Sequence, residues 1–451
     1  MTVTYILILV LLLHIFLFKK LIFKWSVFGV FFIATLLFSI VGILGFPFLK
    51  SYFFESFWTF KIELISNDLI IKTQILAVSG LLLVLYSYVF AIYAFYGKVK
   101  CIDLFNIEGE IKNNLSKNNF SFLTIIVFLF LIIYLFIKRD VLIAGIFDGL
   151  LGRQPDELLE SRRGITSNYL YVIITYNILP FMSIVSLYLL ISKKTIYARI
   201  SFIIIFTTSF FLILLLFQKR PLIIFLASLV LSGFVFKKNL FLKKGQIKKI
   251  VSKKMSRRKY IIYGGFLFML LLLLYYSATT YQFQNIFQAV LKLSEVALSR
   301  VFGRLTIPSF FYVYYFPQVG NHYGFSNIGL FSKVFGFEHF ADTKVLYQYF
   351  SRNNKEGSLA INSIMGFYGA FGYYGLVIGN LFLGILISTL DAFLNKLEKN
   401  NINLIFIVFC FVFAYYLSQA SLPRSLLGYG FLFFVLLWMF LQKDFKIKLR
   451  A

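Results

Sequence analysis

Apolar runs with at most one charged residue recur along this chain from one end to the other, and they leave few folds open to it. Crossing a bilayer as a helix takes about 17 to 25 predominantly apolar residues. Runs of that order lie at 2–18, 25–46, 70–96, 120–138, 166–191, 200–217, 221–236, 260–277, 361–390, 402–418 and 426–441. No soluble domain of ordinary size is left between them. The sequence therefore predicts an all-α, polytopic membrane protein of about 11 helices, with residues 1–451 forming a single transmembrane domain. Composition agrees: the chain is 60% hydrophobic and 14% charged and holds 59 Phe, unlike a soluble domain. The run at 2–18 lacks a basic segment before it and a small-residue cleavage site after it, so it reads as a retained helix rather than a signal peptide.

Charge orients these helices. Residues 237–259, "KKNLFLKKGQIKKIVSKKMSRRK", carry eleven Lys/Arg and no acid, which by the positive-inside rule makes them a cytoplasmic loop. Alternation then puts the N-terminus outside, the C-terminus in the cytoplasm, and 278–357 in a large external loop. The inside segments hold 27 Lys/Arg against 6 Asp/Glu and the outside ones 18 against 12, a bias of the right sign. The formal charge of +27 is thus topological and predicts no nucleic-acid partner. Two cysteines, Cys101 and Cys410, give neither a disulfide framework nor metal-ligand spacing.

Lysine and arginine divide unequally. Of 13 Arg, nine fall outside: Arg139, Arg153, Arg162, Arg163, Arg220, Arg300, Arg304, Arg352 and Arg424. A planar guanidinium suits bidentate contact with phosphate or carboxylate, so the outer face is expected to recognise an anion; anchoring at lipid headgroups is the other reading. In "LLLFQKRPLIIF", residues 214–225, Lys219 and Arg220 precede Pro221. A single span separates them from the basic loop, which makes Arg220 an external cation at a helix start.

Two external segments exceed a simple turn. In the first, 139–165, "DELLESRRG" alternates acid and base at helical spacing, as a self-paired surface helix does; Arg163 ends it just before a span. In the second, "NIFQAVLKLSEVALSRVFGRL" puts Arg300 and Arg304 on one helical face, either to bridge an anion or to lie at the headgroups. Its aromatic richness, as in "FFYVYYF", predicts a folded cap or a segment dipping into the membrane. His322, Glu338, His339, Asp342 and Arg352 gather there. His339 with Glu338 and Asp342 offers a base for a hydroxyl proton. No HExxH pattern, P-loop, nucleophile elbow or dinucleotide fingerprint is present, so no metal, nucleotide or other cofactor is expected.

The stretch "GSLAINSIMGFYGAFGYYGLVIGNLFLGI", 357–385, resembles the closing part of bacterial oligosaccharide repeat-unit polymerases of the Wzy type, the O-antigen and capsular polysaccharide polymerases. There a small polar stretch with Asn leads into a helix bearing Tyr-x-x-Phe-Gly-x-x-Gly, here Asn362, Tyr368, Phe371, Gly372 and Gly375. Packing by small residues would explain the same glycines. The resemblance implies a metal-independent glycosyltransferase at the outer face of the bacterial cytoplasmic (inner) membrane, joining repeat units carried on a polyprenyl diphosphate. It implies that Arg220, Arg300, Arg304 and Arg163 hold the diphosphate, that Glu338, His339 or Asp342 takes the acceptor proton, and that Tyr323, Asn362, Tyr368, Arg352 and His322 contact substrate. Tyr312, Tyr314 and Tyr315 join Tyr323 as expected sugar-stacking rings. A chain-length regulator is an implied partner besides membrane lipids. An O-antigen ligase would share the donor and differ in acceptor; a lipid-linked oligosaccharide flippase would also need cations near a diphosphate but not an outer cap.

Overall fold

The computed structural model describes residues 1–57, 59–100, 102–104, 113–140, 143, 168–193, 195–215, 219–242, 288, 302–303, 305–352 and 357–443. Among them the protein is helical, with no strand; isolated bridges join Phe60 to Ser351 and Leu115 to Gln442. Six helical stretches are long and apolar enough to cross a membrane: Val27–Gly45, Asn67–Tyr96, Lys117–Ile137, Leu170–Lys193, Ile196–Ile213 and Ser363–Lys396. Four shorter apolar helices accompany them, Thr2–Leu17, Pro221–Phe236, Asn401–Leu417 and Phe431–Phe440. This is a multi-pass membrane protein. The expected span 260–277, the basic stretch 243–259, Arg163, Arg300 and Arg304 lie outside the described residues.

Helix starts follow from local chemistry. Free peptide N–H groups at a helix N-terminus need acceptors, which short polar side chains supply. Ser26 accepts from Gly29 N at 2.9 Å, Ser66 from Leu69 N at 3.2 Å, Ser116 from Asn119 N at 3.3 Å, and Asn362 from Met365 N at 2.8 Å. Each stands at the edge of an apolar run. Asn67–Tyr96 ends on Gly97, whose φ of 64° is open to glycine at little cost.

The residues cluster into two compact units. The first comprises Met1–Leu104, Arg257–Asn395 and Phe413–Gly428; the second, Phe105–Ser256, Lys396–Val412 and Tyr429–Ala451. In the first, small residues let helices approach closely, as lipid-embedded packing favours. A methyl on Gly384 would collide with Val84 and Ser87, and one on Gly80 with Ile364. Polar side chains tie the helices: Thr4 donates to Gln74 Oε1 at 2.9 Å and Gln74 to the Ile43 carbonyl at 3.1 Å. Asp391, one residue past the expected apolar run 361–390, lies inside Asn380–Lys396, fully buried. Its carboxylate accepts from Val27 N at 2.8 Å, Phe28 N at 3.1 Å and the Tyr88 hydroxyl at 3.0 Å, capping a neighbouring helix from a distance. In the second unit Phe181 stacks on Phe409, centroids 4.8 Å apart, and Trp438 donates to Asn403 Oδ1 at 2.7 Å.

The expected single helix over 361–390 is broken. A straight helix of 34 residues would reach about 51 Å, well beyond the ~30 Å hydrocarbon core. At Gly372 φ is 65° and ψ is −143°, and the chain folds back there. Asn380 Nδ2 comes within 3.5 Å of the Ile364 carbonyl, whereas 16 residues of straight helix would separate them by about 24 Å. Gly375 and Gly379 pack directly on Phe367. The result is a helical hairpin with Gly372 at its tip, entered through a non-helical stretch at 357–362. Asn362 donates to Ser39 Oγ at 2.8 Å, about 18 Å along its helix from Val27, so irregular backbone lies against the interior of a helix apolar enough to cross a membrane. Such backbone is stable only when enclosed by protein or facing water; Leu359, Ile361 and Asn362 are 6%, 1% and 1% exposed.

Candidate functional site at the hairpin tip

Breaking the helix at Gly372 deprives the Gly369 and Ala370 carbonyls of their usual partners four residues on, and buried carbonyls need replacements. The segment 322–324 supplies them. His322 Nδ1 lies 3.2 Å from Gly369 O, Gly324 N donates to Ala370 O at 2.8 Å, and the Tyr323 hydroxyl donates to Gly366 O at 3.0 Å. A carbonyl only accepts, so in this contact His322 Nδ1 is the donor, and Nε2 is the other ring nitrogen. That nitrogen lies 2.8 Å from where a side chain on residue 372 would begin; only glycine permits the approach. The ring is partly buried between Phe316 and Tyr368, 5.8 and 5.7 Å between centroids.

Beside it lies a buried acid. Asp342, 4% exposed, opens the helix Asp342–Phe350, where the helix dipole favours a negative charge. The Tyr312 hydroxyl donates to its Oδ2 at 2.5 Å. Burial, reinforced by the Asp342 charge and opposed by Arg424, holds the Tyr312 and Tyr323 phenols well above their ordinary range, so both remain neutral donors at physiological pH. Arg424, exposed, reaches Thr343 Oγ1 at 3.2 Å.

The structure distributes the expected site residues unevenly. Glu338 and His339 stand on an exposed turn, with His339 Nδ1 at 3.0 Å from the Ser326 carbonyl. Among the described residues no hydrogen bond or ion pair joins Glu338, His339 and Asp342 to one another. Arg352 is engaged with Glu63 at 2.6 Å, both side chains about half exposed. Tyr323, Asn362 and Tyr368 are buried and serve the hairpin: Asn362 caps it, and Tyr368 donates to the Phe316 carbonyl at 3.1 Å. Tyr312 and Tyr323 are 0% and 8% exposed, so neither presents a ring face to a sugar. Tyr314 and Tyr315 are partly open. Arg220 falls in the first turn of Lys219–Leu242, its side chain outside the described residues. That helix and Ile196–Leu215 are 24 and 20 residues long, about 36 and 30 Å.

His322, Tyr323, Tyr368 and Gly372 thus converge, with Asp342, Tyr312 and Arg424 adjoining. Sequence reasoning missed Arg424's neighbours and the partner of His322 Nδ1, because both depend on contacts between distant segments. One signal was present: glycines at 366, 369, 372 and 375 interrupt a run too long for one crossing. Among the described residues no three His, Cys, Asp or Glu are grouped to hold a metal ion. Compared with family models, curated proteins and solved structures, the chain matches none.

Proposed function

We propose that the protein is a polysaccharide polymerase that transfers a lipid diphosphate-linked oligosaccharide onto another at the outer face of the cytoplasmic membrane. In this reading eleven helices cross the bilayer, with the N-terminus outside and the C-terminus inside. The observation that carries it is His322, whose Nδ1 lies 3.2 Å from the Gly369 carbonyl at the tip of the hairpin that bears the Tyr-x-x-Phe-Gly-x-x-Gly pattern. An imidazole that donates from Nδ1 can take a hydroxyl proton on Nε2.

The reaction then balances without a cofactor. The acceptor hydroxyl oxygen attacks the anomeric carbon of the donor sugar, its proton passes to His322 Nε2, and the bond from that carbon to the diphosphate oxygen breaks. The leaving diphosphate keeps the electron pair, and fixed cations stabilise the charge it develops; Arg220, Arg300 and Arg304 are proposed for that role. Glu338 and His339 remain the alternative proton acceptors.

Purified protein incubated with a polyprenyl diphosphate-linked oligosaccharide should give a ladder of longer lipid-linked products. No ladder from an authentic donor overturns the reading. His322→Ala should lower the rate by about 10²- to 10⁴-fold while donor binding persists. A flippase would instead move single units across vesicles without lengthening them.

A further inference from the structure

Lys72 occupies the second turn of Asn67–Tyr96, inside a membrane-crossing helix, and is partly buried. Cations in such positions are costly and are normally paired. Lys24 and Arg352 are paired, with Asp103 and Glu63. Lys72 is not: among the described residues no carboxylate lies within 4.0 Å of it, and Asp68, one turn earlier on the same helix, makes no such contact. Its ammonium instead lies 5.8 Å from the centroid of Tyr373. Tyr373 directly follows Gly372, so this cation stands at the tip of the hairpin.

The surroundings are those of an amphiphile. Phe371, Tyr373, Tyr374, Val377 and Ile378 are 38%, 57%, 81%, 44% and 65% exposed, an apolar and aromatic rim on the hairpin beside the ammonium. A ligand that satisfies both features carries a negative headgroup on a hydrocarbon chain. We propose that Lys72 binds the phosphate group nearest the chain of a polyprenyl diphosphate, whose first isoprene units lie along that rim. This rests on the polymerase reading for the identity of the lipid.

The test is equilibrium binding of sugar-free polyprenyl diphosphate to the full chain in detergent, with inorganic diphosphate and phosphatidylglycerol as comparison probes. Wild type should bind the polyprenyl diphosphate at least tenfold more tightly than either comparison. Lys72→Gln should weaken that binding at least tenfold, and Lys72→Arg by less than threefold. Binding by Lys72→Gln as tight as wild type overturns the site. Equal affinity for inorganic diphosphate overturns the lipid assignment. If Lys72→Gln does not fold, a polyprenyl diphosphate with a photoreactive group beside its phosphate, used on wild type, decides: cross-links on peptides holding Lys72 or Tyr373 support the site, and cross-links elsewhere refute it. Lys72-dependent binding with no ladder would sink the polymerase reading and leave the site standing. A ladder with unchanged lipid affinity in Lys72→Gln would do the reverse.

Discussion

Asp342 shows how a single buried side chain constrains its neighbours. Its carboxylate has the Tyr312 phenol as its side-chain donor, and hydrogen bonds to charged groups contribute about 1.5–3 kcal/mol. Tyr312→Phe should therefore destabilise the first unit by about 2 kcal/mol, read as a lower unfolding temperature in detergent. Tyr323→Phe, which loses a neutral bond to Gly366 O, should cost about 1 kcal/mol. The same phenols set a pH limit. Their folded-state values are raised above the ordinary 10.0, so the folded chain holds these protons more tightly than the unfolded one. Their contribution is complete below pH 10 and is lost as the pH rises toward the folded-state values. Unfolding temperature should fall across that alkaline window, and less steeply in the Tyr312→Phe, Tyr323→Phe double variant. An equal slope in the two proteins would refute the assignment.

Among the elements, the hairpin is the one whose geometry the function depends on. Gly372 has a backbone conformation essentially reserved for glycine, and such strain costs a side chain about 1–3 kcal/mol. A methyl there would also meet His322 Nε2 at 2.8 Å. Gly372→Ala should thus reduce polymer formation more than it reduces stability, because it displaces the imidazole; product ladders and melting curves on one preparation compare the two. The helix Val27–Gly45 depends on a different device. Asp391 serves three buried donors at once, so Asp391→Ala should cost about 3 kcal/mol or more. Asp391→Asn, which keeps one acceptor oxygen, should cost less than that. Equal losses in the two variants would show that the negative charge, not the acceptors, holds the helix.

At the scale of the whole molecule the proposed orientation is open to direct measurement. In a background lacking Cys101 and Cys410, a cysteine at Glu338 should react with an impermeant maleimide from outside intact cells, and one at Ser252 only after the membrane is opened. The opposite pattern would invert the outer-face reading. Much of this organisation was legible in order of residues alone. Ten of the expected apolar runs fall on helices among the described residues, because a bilayer demands long uncharged segments whatever they pack against. The acid-base cluster was not. His322, Glu338, His339 and Asp342 are neighbours in sequence, yet His322 faces Gly372 while Asp342 faces Tyr312, and Lys72 comes from 301 residues before Tyr373. The sequence by itself determined that this protein is a membrane-embedded helical chain, since hydropathy acts locally and sums along each segment. Only the tertiary structure decided that one apolar run turns back at Gly372, that His322 meets the Gly369 carbonyl, and that Lys72 stands beside Tyr373 with no carboxylate partner among the described residues. Each of those depends on whether distant groups satisfy one another's hydrogen bonds and charges once water is excluded.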